Sequence, residues 1–171
     1  MDIDTPYAAA TAVVLPQWID YNGHMNVGYY HVAFDAAAEP FFDWLGFTQD
    51  FRKRNGSTTF ALESHLSFAR EVRAGDPLRF EARLIDFDYK RVHFYQEMFH
   101  GTEGWLAATC ESLSTHVDVA QRRTAPMPEE LTRRLARILQ AHAVLPRPWQ
   151  VGHVISARPA GLPGRRACEQ A

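Results

Sequence analysis

The period of the apolar residues changes once along the chain, and that change limits what it can fold into. Between Asn26 and Gly46, Tyr30, Phe34, Ala37, Phe41 and Trp44/Leu45 recur at helical spacing. From Phe60 onward the period is two. Phe60, Leu62, Leu66 and Phe68 fall on one face, and Glu63, His65, Ser67 and Glu71 on the other. Leu78, Phe80, Ala82 and Leu84 alternate with Arg79, Glu81 and Arg83; Val92, Phe94, Gln96 and Met98 alternate with His93, Tyr95, Glu97 and Phe99. Trp105 to Val119 reads as one long final strand. Short Gly-, Asp- and Pro-containing turns separate these runs, which predicts an antiparallel meander of four strands. The long helix exposes an apolar face that this sheet must cover, so the chain is α+β.

The flanks complete the pattern. Thr11 to Leu15 is a short strand closed by Pro16. Asn26 is a natural helix cap and Gly46 a natural stop. Pro40 lies inside the helical pattern and removes the hydrogen bond to the Ala36 carbonyl, so a kink or break is expected there. Phe51 to Ser57 reads as a basic polar connection. Glu129 to His142 reads as a second helix, with Leu131, Leu135, Ile138, Leu139 and His142 on one face. The expected organisation is one domain over residues 1–120, a C-terminal helical extension over 121–145 and a loose tail over 146–171.

Composition removes several classes. The net charge is −2, from 18 basic and 20 acidic residues, so nothing in the balance favours nucleic acid. No apolar run approaches the ~20 residues that span a bilayer. The start, Met1-Asp2-Ile3-Asp4, lacks a basic and then apolar leader. Cys110 and Cys168 form no C-x-x-C pair, which fits a reducing cytoplasm. There is no G-x-S-x-G elbow, P-loop or G-x-G-x-x-G. The histidines offer no three-ligand spacing, so no metal is expected.

One segment carries chemistry. Asp20-Tyr21-Asn22-Gly23-His24-Met25-Asn26 packs a carboxylate, an imidazole and two carboxamides directly before the aromatic helix. With Asn26 as cap, the amides of Val27, Gly28 and Tyr29 would face this loop and favour a developing oxyanion. Gly28 would let a ligand approach the backbone. A base or nucleophile (Asp20), an acid/base or orienting group (His24) and an electrophilic helix end are the set that acyl transfer needs. The same residues would also serve as an ordinary helix-entry turn.

Here the residues resemble a family. Trp18-Ile-Asp20-x-Asn22-Gly-His24-Met-Asn26-x-x-Tyr29-Tyr30, the helix after it, and Ser67-Phe-Ala-Arg-Glu71-Val-x-x-Gly75-Asp76 are similar to hotdog-fold acyl-CoA thioesterases of the 4-hydroxybenzoyl-CoA thioesterase type. The loop is also similar to the D-x-N-x-H-x-N motif of plant acyl-carrier-protein thioesterases. The resemblance covers roughly Val13 to Asp118. It implies an antiparallel sheet wrapped around one long central helix, and sheets joined into a homodimer or a dimer of dimers with sites at the interface. It implies catalytic roles for Asp20, Asn22, His24 and Glu71, with Glu63 as a rival to Glu71. The expected substrate is an acyl-CoA, with no separate cofactor because coenzyme A is part of the substrate.

The aromatic residues bear on the acyl group. Trp18, Tyr29, Tyr30 and Trp44, with Asn26 and Gly28, are expected to bind substrate, although such a face is also ordinary core. Aromatic faces attract quaternary ammonium groups. Lys90-Arg-Val-His93 and Thr115-His-Val-Asp118, with the Arg122 to Pro128 stretch, resemble thioesterases of bacterial carnitine breakdown, which implies betainyl-CoA. Lys90-Arg91, Arg52-Lys53-Arg54 and Arg122-Arg123 are candidates for the coenzyme A phosphates or plain solvated charge. A hotdog enoyl-CoA hydratase and a non-catalytic acyl-CoA-binding module remain the alternatives.

Overall fold

The computed structural model describes residues 3–157. The elements are β1 (Thr11–Val13), a single 3-10 turn at Pro16–Trp18, α1 (Val27–Leu45), α2 (Gln49–Asn55), β2 (Ser57–Phe68), β3 (Pro77–Phe87), β4 (Arg91–His100), β5 (Leu106–Asp118), β6 (Arg123–Thr124) and α3 (Glu129–His142). The strands form one antiparallel sheet in the order β1-β3-β4-β5-β2, with β6 beside the end of β5. The sheet curls around α1, as the sequence pattern requires.

α1 starts where the Asn26 side chain accepts a hydrogen bond from the Gly28 amide at 2.9 Å. It stops where Gly46 takes φ of 114°, a left-handed conformation that a Cβ would strain. Of the kink or break expected at Pro40, a break does not occur: the helix runs on through it. One lost hydrogen bond is outweighed by burial of Ala37, Phe41, Phe42 and Leu45 on either side of Pro40. Phe41 and Leu45 are fully buried, each stabilising by about 1.5–3 kcal/mol. The N-terminal half of α1 packs on Phe80, Met98 and Cys110. The C-terminal half packs on Leu84, Phe94 and the α3 residues Leu131, Leu135 and Ile138.

Two local expectations are corrected. The connection expected at Phe51 to Ser57 is largely the helix α2. Thr48 Oγ1 caps it by accepting from the Phe51 amide at 3.2 Å, and Phe51 packs against Phe47 and His116. Seven residues are too few to show a period. In β2 the register shifts between Ala61 and Glu63, leaving Leu62 as an extra residue. Phe60 therefore shares the outer face with its partner Thr115, while Leu66 and Phe68 face α1. The single apolar face expected for these residues is split.

α3 forms over Glu129–His142, the range read from its sequence pattern. Arg134 donates to the carbonyls of Leu45 (3.0 Å) and Trp44 (2.5 Å), satisfying the open end of α1. The segment from Pro146, expected to be loose, follows the outer sheet face as far as His153. Arg83 donates to the Pro146 carbonyl (3.0 Å), Gly152 donates to the Glu111 carboxylate (2.9 Å), and His153 stacks on His65. Residues 158–171 of that tail, with Cys168, lie outside the described residues. Among the described residues no helix is long and apolar enough to cross a membrane.

Candidate active site

The loop before α1 is a closed hairpin. The Asp20 amide donates to the His24 carbonyl (3.1 Å), the Asn26 amide donates to the Trp18 carbonyl (2.9 Å), and Ile19 bridges Met25. Gly23, at φ of 84°, makes the tight turn. Asp20 Oδ1 accepts from the Asn22 amide at 2.8 Å, which orients the carboxylate. Asp20, Asn22 and His24 are thus held on one short loop at the positive end of a 19-residue helix.

A second segment joins them. The Met25 amide donates to the Val72 carbonyl at 2.9 Å, tying the loop to the chain that follows β2. This brings Glu71 Oε2 to 4.0 Å from His24 Nε2. Arg73 Nη2 donates to Glu71 Oε1 at 2.8 Å, and this bond holds the Glu71 carboxyl below its ordinary range. Glu63 instead sits opposite Leu113 on the outer face of β2. Of the two rivals, only Glu71 meets the loop.

The aromatic expectations divide. Trp18 stacks on Tyr29 at 5.8 Å, beside the loop. Tyr30 is buried edge-on to Phe68, and burial pushes its phenol up. Trp44 is elsewhere: stacked on His142 and packed with Tyr7 and Phe41, it lies roughly 25 Å further along α1 than Gly28. The helix period put these residues on one face but could not show that the face spans both ends of the core.

The expected oxyanion donors also need correction. The Gly28 amide donates to the Asn26 side chain, and the Tyr29 amide donates to the Asn26 carbonyl at 3.0 Å. Asn26 caps its own helix and occupies both. The Val27 amide has no acceptor among the described residues and is the open donor at this end.

Sequence reasoning missed a groove of about 290 Å³ between α1 and the β2 side of the sheet. His31, Asp35 and Glu39 line it from the helix, Ser64, Gln96 and Ser114 from the sheet, with the rings of Phe34, Phe42 and Phe94. Asp35 and Glu39 make no hydrogen bond or ion pair among the described residues. The Gln96 amide donates to the Phe34 carbonyl at 3.2 Å, and Ser64 and Ser112 pair at 3.4 Å. Cys110 also lines the groove, but burial pushes its thiol up, away from the thiolate. The readable signal was Cys110, Ser112, Ser114 and His116, polar or small residues on the inward face of a central strand. Among the described residues no three His, Cys, Asp or Glu side chains gather to hold a metal ion.

Comparison with known proteins now decides the family. The profile of the thioesterase-like superfamily matches residues 14–135, which contain the loop, α1, the whole meander and the start of α3.

The chain belongs to this superfamily.

A betainyl-CoA thioesterase from Pseudomonas aeruginosa is 34% identical over 146 residues, covering 85% of this chain and 92% of that protein. An L-carnitine dehydrogenase/betainyl-CoA thioesterase from Ruegeria pomeroyi is 31% identical over 154 residues; the chain spans 31% of its length. Among solved structures, a Staphylococcus aureus protein in complex with CoA superposes with a TM-score of 0.82 at 26% identity, covering 92% of this chain and 99% of that one. A 1,4-dihydroxy-2-naphthoyl-CoA thioesterase from Synechocystis shares the fold, with a TM-score of 0.64 at 14% identity. The hotdog fold and the thioester-hydrolase class implied by the sequence are both borne out.

Proposed function

We propose that this thioesterase hydrolyses betainyl-CoA to glycine betaine and coenzyme A, with Asp20, Asn22, His24 and Glu71 as its catalytic set. The observation that carries the site is the Asp20 hairpin seated on the start of α1 with Glu71 drawn to His24. The thioester carbonyl lies at the helix end, its oxygen polarised by the Val27 amide and the helix dipole. Asp20 takes a proton from water, whose oxygen adds to the carbonyl carbon; the C–S bond then breaks and the thiolate leaves with that proton. Direct attack by Asp20, giving a mixed anhydride that water cleaves, uses the same geometry. Coenzyme A arrives with the substrate, and no separate cofactor enters the reaction.

Two things support the acyl group. The Pseudomonas aeruginosa relative that covers most of this chain is a betainyl-CoA thioesterase. The groove beside α1 carries Asp35 and Glu39, which make no ion pair among the described residues, with Arg52 and His31 beside them and the rings of Phe34, Phe42 and Phe94; two carboxylates and three rings against one guanidinium are a lining that accommodates a quaternary ammonium group. Trp18 and Tyr29 add aromatic surface at the loop itself.

The working unit is a homodimer, with a dimer of dimers as its larger form. β2 is a 12-residue edge strand with one side of its backbone unpaired. Phe60, Leu62 and Phe68 on it are about half exposed (48%, 51% and 49%). A long apolar edge is an aggregation hazard unless a partner covers it. Antiparallel pairing with a second β2 covers it and places each loop beside the partner's sheet.

Thiol release from an acyl-CoA panel tests the reading. Betainyl-CoA is expected to be preferred over acetyl- and aromatic acyl-CoA, and Asp20→Asn to lose at least ~100-fold in turnover. Full turnover by Asp20→Asn would overturn the site, and equal rates across the panel would overturn the substrate.

A further inference from the structure

The chain after α3 crosses the outer face of the sheet along a single row of paired residues. Arg83 of β3 lies opposite Tyr95 of β4, Tyr95 opposite Glu111 of β5, and Glu111 opposite His65 of β2. This strap touches the row at three points in the same order. The Pro146 carbonyl accepts from Arg83, the Gly152 amide donates to Glu111, and the His153 ring stacks on His65 at 6.0 Å. Trp149 packs edge-on against His153 at 5.3 Å, and Val151 is buried. Tyr95, in the middle of the row, is 1% exposed although its side chain leaves the sheet on the face opposite that of Phe94, which packs on α1.

The strap reaches the edge strand and then leaves the sheet. β2 is the last strand in the order. The two residues after His153 are Val154 and Ile155, 80% and 82% exposed. Successive side chains of a non-helical segment point to roughly opposite sides, so one of this pair would be covered if the segment still lay on its own sheet. Neither is. Two residues span up to ~7 Å of chain, more than the ~4.8 Å between neighbouring strands. Val154 and Ile155 therefore stand past His65, where a strand paired with β2 would run.

Edge pairing supplies what lies there. A two-fold axis through the middle of the 12-residue β2 passes between Leu62 and Glu63, and it sets His65 of one copy against Phe60 of the other. The faces agree. Phe60 and His65 are an odd number of residues apart and would point to opposite faces of a regular strand. The extra residue at the bulge puts both on the outer face. Phe60 is 48% exposed there, an aromatic ring in a row otherwise made of Thr58, Glu63, His65 and Ser67.

We propose that Val154 and Ile155 clasp a second copy of this chain, docking on Phe60 of the partner subunit across the paired β2 edges. The inference rests on the edge-pairing reading above, with the two-fold axis at the middle of β2. Each strap then packs on its own sheet through Val151 and His153 and on the partner subunit through Val154 and Ile155. Two straps, one from each copy, add apolar side-chain contact to a seam that strand pairing closes through its backbone.

Two experiments test the clasp. The double variant V154D/I155D puts charge on side chains that are exposed in the single chain, so its circular dichroism should match that of the unmodified protein. The dissociation constant of its dimer, from sedimentation equilibrium, is expected to rise at least ~10-fold. An unchanged constant overturns the clasp. The second experiment links the two surfaces. With Cys168→Ser removing a competing thiol, Val154→Cys and Phe60→Cys in one chain should give disulfide-linked dimers on oxidation by diamide, which takes up the two thiol hydrogens. Either substitution alone should give none. Residues 60 and 65 of one copy are roughly 15 Å apart along β2, beyond disulfide reach, so the link reports the partner subunit. A protein that sediments as a dimer yet forms no linked dimer overturns the clasp and leaves edge pairing standing. Unmodified protein that sediments as a monomer at every concentration overturns edge pairing, and the clasp with it.

Discussion

His142 should make the protein less stable in mild acid, by an amount its geometry sets. Its imidazole is buried on the inner face of α3. Nδ1 accepts from the Leu84 amide at 2.9 Å, Nε2 donates to the Asp4 carbonyl at 2.9 Å, and the ring stacks on Trp44 at 5.8 Å. Both nitrogens are committed, so one neutral tautomer is selected; a proton on Nδ1 would face the Leu84 N–H. Burial lowers the affinity of this ring for a proton. The unfolded chain therefore takes up a proton below pH ~6.5 that the native state refuses. Stability from this group is complete above pH ~6.5 and falls as pH drops below it, by at most about 1.4 kcal/mol per pH unit down to the folded-state value. Urea unfolding followed by circular dichroism at pH 7.5, 6.5 and 5.5 measures it. His142→Phe keeps the stack on Trp44 and removes the titration. It leaves the Leu84 amide and Asp4 carbonyl unpaired, at a cost of about 1–3 kcal/mol. It should be less stable at pH 7.5 yet lose less on going to pH 5.5. The other seven histidines are the same in both proteins, so the difference between slopes isolates His142. Equal slopes in the two proteins would refute the reasoning.

Asn26→Ala removes the oxygen that accepts from Gly28 and should cost about 1 kcal/mol, a fall in Tm of roughly 2–4 °C, whereas Asn26→Ser should recover most of it; identical melting of all three would show that the cap is energetically idle. Leu62→Lys puts a charge on the bulge of the free β2 edge, about half exposed, and should convert the proposed dimer to monomer in sedimentation without loss of helix signal; an unchanged sedimentation coefficient would overturn pairing through this edge.

Much of the fold was legible because its cause is periodic. α1 and α3 are bounded by residues that cap, stop or bury, and the four main strands alternate over lengths that sequence alone can resolve. What escaped has no period. α2 is too short, and its stability comes from Phe51 reaching Phe47 and His116, a contact made by tertiary folding. Leu62 breaks the phase of β2 by one residue, and a one-residue slip moves every later side chain to the other face.

The site shows the same division. Asp20, Asn22 and His24 are neighbours in sequence, so their association could be read directly. Glu71 reaches them through a single backbone bond, Met25 to Val72, that no local pattern encodes, and the groove is defined by side chains from α1, β2, β4 and β5. Asn26 illustrates the limit most sharply. Its identity as a cap was evident, yet the same capping consumes the Gly28 and Tyr29 amides that would otherwise be free for substrate. A good cap and an open oxyanion site compete for the same hydrogens. In this chain the competition leaves Val27, the first residue of the helix, as the amide at this end with no acceptor among the described residues.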